Sequence, residues 1–144
     1  MKLFDLHCDT ATLLYRNRLS FENSITHVNA GNVANHQVTQ CFAVFFDDRR
    51  PDGLGRDFFK AVAETVFPRL NRPGLTPVLT LEGGGVLATD DGWIDLVQSY
   101  GCRMAGLVWN GKNPLATGAI TDDGAPLTPL GREAVFELIR RRIA

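Results

Sequence analysis

The stretch DLHCDT, residues 5–10, decides how this chain is read. It ends the first apolar run, and it places Asp5, His7 and Asp9 on alternate positions. Side chains alternate across a strand, so an extended backbone puts these three ionisable groups on one side and Leu6 and Cys8 on the other. His7 and Asp9 together offer an imidazole nitrogen and a carboxylate oxygen from one rigid element, the donor types that zinc takes. An HxD pair is also common where the aspartate merely caps a following helix, so the pair needs support from elsewhere in the chain.

That support comes from the order of elements. A strand over Leu3–Cys8 is followed by a short helix over Thr10–Arg16 and an irregular polar stretch from Leu19 to Asn35. VTQCFAVFF, residues 38–46, is near-continuously apolar and suits a strand buried on both faces. A loop, DDRRPDGLG, leads to a helix over Arg56–Leu70, with apolar spacing at Phe59, Val62, Ala63, Val66 and Leu70. TPVLTLEGGG predicts a third strand, DDGWIDLVQSYG a helix closed by Gly101, and CRMAGLVWN a fourth strand. After a turn-rich loop, Thr128 caps a last helix with Pro129 at its first position, running to the chain end. The Arg140–Arg142 run suits the negative end of that helix's dipole.

Strands alternating with helices predict an α/β protein with a parallel sheet, either doubly wound or part of a (β/α)₈ barrel. His7 and Asp9 fall at the C-terminal end of the first strand and Glu82 at that of the third, the face that carries chemistry in barrels. A doubly wound fold would place a glycine-rich loop after the first strand, and CDTATLL has no glycine. The expectation is the N-terminal half of a (β/α)₈ barrel, residues 1–144 forming one partial domain.

Composition narrows the function. The 144 residues carry a net charge of −1, which gives no reason to expect nucleic acid or an anionic membrane. Hydrophobic residues at 44% are enough for a core, and no apolar run approaches the roughly 20 residues of a membrane span. Three separated cysteines and no leader-like start lead to the expectation of a reduced, cytoplasmic protein. Glu82 has two oxygens and can bridge two metals about 3.5–4 Å apart. Gly83–Gly85 leave room for the backbone to approach a ligand closely. Trp109 and Asn110 end the fourth strand, where they would line a substrate pocket, the alternative for Trp109 being an interlayer core residue. His27 and His36 read as solvated loop residues, and Cys8 as a small apolar filler.

Taken in order, DLHCDT, LEGG, GCRMAGLVWNGKNPLATG and LTPLGREAVFEL resemble the membrane (renal) dipeptidase family of zinc peptidases, in its bacterial cytoplasmic branch. The resemblance implies a (β/α)₈ barrel with two zinc ions per complete site. It makes His7 and Asp9 the first-strand ligands and Glu82 the bridging, catalytic carboxylate. A metal-bridging hydroxide would then attack a dipeptide's amide carbonyl. Trp109 stands where the renal-type members carry a substrate-contacting histidine, which implies a different specificity. The family also uses two later histidine ligands, an arginine and an aspartate, and no residue of these 144 takes those roles. A complete barrel needs about 250 residues. The expectation is therefore an inactive half, exposing an apolar face and strand edges, that associates with itself or with a chain supplying the other half. A non-catalytic half-barrel module and another metal-dependent amidohydrolase are the alternatives.

Overall fold

The computed structural model of the chain describes residues 1–22, 25–47, 55–121 and 124–144. The elements are β1 (Lys2–Asp5), α1 (Thr10–Arg16), α2 (Ala30–Val33), β2 (Gln37–Phe45), α3 (Gly55–Ala61), β3 (Leu75–Glu82), α4 (Trp93–Ser99), β4 (Met104–Ala105) and α5 (Pro129–Arg140). The strands form one parallel sheet in the order β1-β2-β3-β4. Neighbours in sequence are neighbours in the sheet, as in the first half of a (β/α)₈ barrel, whereas a doubly wound sheet reverses about its first strand. Two compact units are present, Met1–Val44 with Asp57–Thr80, and Phe45–Arg56 with Leu81–Ala144.

In the first unit, β1 pairs with β2 from Lys2 opposite Gln37 to Asp5 opposite Gln40. The core is built from β2, α1 and the segment after α3. Phe42 is fully buried and meets the Phe21 ring edge-on at 6.3 Å. Thr12, also buried, donates its hydroxyl to the Ala43 carbonyl at 2.9 Å, so this hydroxyl is satisfied where α1 meets the strand. Phe59, Val62, Ala63, Val66 and Leu70 are all buried, as their spacing predicts. The single helix expected over Arg56–Leu70 is instead three pieces. α3 ends at Ala61, a π turn follows over Val62–Val66, and a 3₁₀ turn over Phe67–Leu70. Pro68 explains the change, because its ring has no N–H and collides with the carbonyl four residues back. Thr65 adds to it by donating its hydroxyl to the Ala61 carbonyl at 2.6 Å. Within the stretch read as irregular, Asn29 caps the short α2 through the Asn32 amide at 3.0 Å. Arg72 holds the start of that stretch. Its guanidinium lies 4.5 Å over the Phe21 ring and 2.7 Å from the Glu22 carboxylate. The Ser20 hydroxyl and Arg72 pull the Glu22 carboxyl down to about 2.

In the second unit, the Trp93 ring at the start of α4 packs edge-on against Phe46 at 5.8 Å, over a core that includes Leu81, Val97, Leu138 and Ile143. Gly101 closes α4 as expected. It has φ of +74°, and the next amide, on Cys102, bonds back to the Val97 carbonyl at 3.0 Å. The Thr128 hydroxyl accepts the Gly131 amide at 2.9 Å, with Pro129 at the first position of α5. The arginine run divides. Arg140 pairs with Glu137, Arg141 reaches Asp95 at 2.7 Å, and Arg142 has left the helix with φ of +59°. β4 is much shorter than the strand expected over residues 102–110, and beyond Ala105 the backbone turns into a loop. Arg103 accepts the Ala144 amide, and Ala144 accepts that of Ala105. This alternation is that of a parallel ladder, so after α5 the chain returns to the free edge of β4 in the same direction.

Candidate functional site

Past Asp5 the pairing of β1 slips by one residue. Cys8 donates its amide to the Cys41 carbonyl and accepts the amide of Ala43, both at 2.9 Å, which sets Cys8 opposite Phe42. Leu6 and His7 therefore face a single residue, Cys41, which makes a β-bulge. The Asp5 carboxylate accepts the His7 amide at 3.4 Å across the kink. The bulge corrects the expectation that Asp5, His7 and Asp9 share a side. Asp5 stays on the face of Gln40, and Cys8 returns to that face opposite Phe42. His7 and Asp9 lie on the other face, with Cys41 and Ala43. Their separation is 3.6 Å from His7 Nε2 to Asp9 Oδ1, with about half of each side chain exposed. Asp9 precedes α1, but its side chain makes no capping hydrogen bond. Cys8 is part-buried, and burial first, then the charges of Asp5 and Asp9, push its thiol up to about 11. It stays protonated near neutrality, in keeping with a packing role.

Glu82, in the second unit, is the last residue of β3 and is half-buried. Its carbonyl accepts the Phe46 amide at 2.9 Å, so Glu82 stands opposite Phe45, with its side chain on the Phe45 face. Phe46 points the opposite way, to Trp93. Trp109 packs edge-on against Phe45 with centroids 4.9 Å apart. One carboxylate and two aromatic rings thus share a face. Asn110 follows Trp109, half-buried, with its carbonyl taking the Ile120 amide at 3.1 Å.

The glycines after Glu82 are places where neighbouring backbone and side chains come close. Gly83 has φ of +82°, and a Cβ there would run into the Phe46 carbonyl. A Cβ on Gly84 would come within 2.6 Å of the Gly106 carbonyl oxygen. Both let neighbouring backbone close in around Glu82. Gly85 lies against the Asn113 side chain.

The structure brings His7 and Asp9 together in the first unit, and Glu82 and Trp109 onto the Phe45 face in the second. His27 and His36 are exposed. Sequence reasoning missed Phe45, whose alternation with Phe46 was the available signal. It also missed Asn113, which the turn-forming run NGKNP flags. Among the described residues no helix is long and apolar enough to cross a membrane.

Residues 65–143 match the model of the membrane dipeptidase family, Peptidase family M19. That span includes Glu82, Trp109 and Asn110, and it starts after His7 and Asp9. No curated protein matches the chain.

Proposed function

This chain belongs to the membrane dipeptidase family, Peptidase family M19, a family of dipeptidase-type hydrolases, and from that premise we propose that it carries the first part of a zinc-dependent dipeptidase site. The observation that supports the reading apart from the family match is the His7–Asp9 pair. Two donors on one tetrahedral zinc at about 2.0–2.2 Å sit about 3.3–3.6 Å from each other. His7 Nε2 and Asp9 Oδ1 are 3.6 Å apart, so the pair fits an ion without rebuilding the backbone. Glu82, with two oxygens, is the third ligand in this proposal and the one suited to bridging.

Zinc held by these residues would acidify a water and polarise the dipeptide carbonyl. The chain's own contribution is placement. The bulge holds His7 and Asp9 on one face, and close backbone packing fixes the end of β3 that bears Glu82. Trp109, beside Phe45, offers an apolar wall for a dipeptide side chain. The Asn110 amide is the polar group suited to the peptide's own carbonyl or carboxylate.

His7, Asp9 and Glu82 give one ion up to three protein ligands and a second ion only a shared carboxylate. In this proposal, a two-zinc centre needs donors beyond these three, and these 144 residues alone turn over little or no dipeptide. The test is zinc per chain after dialysis against trace chelator. The expected result is retained zinc that His7→Ala and Asp9→Ala both lose with an unchanged circular dichroism spectrum. Equal zinc in wild type and both variants would refute the ligand assignment.

A further inference from the structure

The loop after β4 is organised around one side chain. Asn113 is almost wholly buried at 9% exposure, in a segment of otherwise turn-like backbone. Its Nδ2 donates to the Leu107 carbonyl at 2.8 Å. Its Oδ1 accepts the amides of Leu115 at 2.8 Å and Ala116 at 3.2 Å. The Asn113 amide closes the same turn on the Ala116 carbonyl at 3.0 Å. The oxygen therefore shapes the downstream turn, while the nitrogen reaches back across the loop and grips the backbone two residues before Trp109.

The rest of the loop is braced rather than loose. Gly118 bonds to Gly111 and Ile120 to Asn110, and a Cβ on Gly118 would strike the Asn110 backbone. Leu115 is fully buried, and its carbonyl accepts both the amide and the hydroxyl of Thr128 at 3.0 Å. The start of α5 thus clamps the downstream side. Upstream, the Asn113–Leu107 bond sets where the backbone enters Trp109.

We propose that Asn113 is a positioning residue that, through its grip on the Leu107 carbonyl, holds the Trp109 ring against Phe45 on the Glu82 face. Its importance for dipeptide recognition rests on the reading above that Trp109 lines the substrate site; the placement of the ring does not. Asparagine is required because the role needs a donor and an acceptor on one short side chain. Asn113→Asp keeps an acceptor for Leu115 and Ala116 but sets an oxygen against the Leu107 carbonyl oxygen.

The experiment is ¹⁹F NMR of the full chain labelled with 5-fluorotryptophan. It gives two resonances, Trp93 and Trp109, assigned with Trp109→Phe. In Asn113→Asp the Trp109 resonance is expected to move toward the solvent-exposed position while Trp93, packed on Phe46, stays in place and reports an intact fold. An unmoved Trp109 resonance beside an unmoved Trp93 overturns the proposal. So does an equal movement of Trp109 in Thr128→Ala, which loosens the loop but spares the Leu107 bond. If Asn113→Asp loses the folded Trp93 resonance, Asn113→Ser is read in the same way, since serine cannot span to Leu107. Titrating the zinc-loaded wild type with L-alanyl-D-alanine tests the underlying reading separately. A Trp109 resonance that ignores the dipeptide refutes Trp109 as a substrate contact, and the Asn113 variants still decide the positioning role.

Discussion

At the end of β1 the residues are exposed and the chain is set by a few ladder bonds to β2, whereas at the end of β3 it is enclosed. Leu3, Phe4 and Leu6 are 46%, 61% and 59% exposed, and the geometry of His7 and Asp9 comes from a one-residue slip against β2. Leu79 and Leu81 are 1% and 2% exposed, and the backbone after Glu82 adopts a left-handed turn with the Phe46 carbonyl pressed against it. The two strand ends that carry the proposed ligands are thus held by different physics. One relies on a few strand-to-strand hydrogen bonds beside exposed side chains, and the other on close packing of backbone against backbone.

Substitutions at the two ends put that contrast to the test. Gly83→Ala is expected to cost about 4 kcal/mol, because it combines a positive φ with a collision against strand backbone. Leu6→Ala, exposed in the bulge, should stay within about 0.5 kcal/mol. Urea unfolding of both variants measures the difference, and comparable losses would erase the distinction. Within the strands, Leu79→Ala should lose about 3 kcal/mol and Phe4→Ala about 0.5 kcal/mol or less, read in the same way. The smallest effect belongs to Asp5→Ala. It removes one long, exposed hydrogen bond at the bulge and should cost about 0.3 kcal/mol or less. If the bulge depends on that bond, zinc retention falls with it. Unchanged zinc would show that the Cys8 ladder bonds alone hold the slip.

Local signals were legible where neighbouring residues settle the conformation. α1 spans Thr10–Arg16 as its sequence predicts, Gly101 ends α4, and Thr128 and Pro129 open α5. Each rests on a cap, a proline or a glycine acting within one turn. The buried run on β2 and the apolar spacing from Phe59 to Leu70 were equally readable, since burial follows periodicity. The break of the helix after Ala61 had a visible cause in Pro68, but the π turn that absorbs it depends on Thr65 and on where the buried face must point.

The sequence by itself determined the alternation of strands and helices, the element boundaries set by caps, the family motifs, and His7, Asp9 and Glu82 as the residues to watch. Only the tertiary structure decided that a bulge parts Asp5 from His7 and Asp9, since strand register is a property of two strands and no single segment encodes it. It also decided that Gly83 and Gly84 make room for neighbouring backbone, that β4 stops at Ala105, and that Asn113 ties the loop behind Trp109. Each of these depends on which backbone comes within hydrogen-bonding distance after folding, and sequence spacing alone carries no record of that distance.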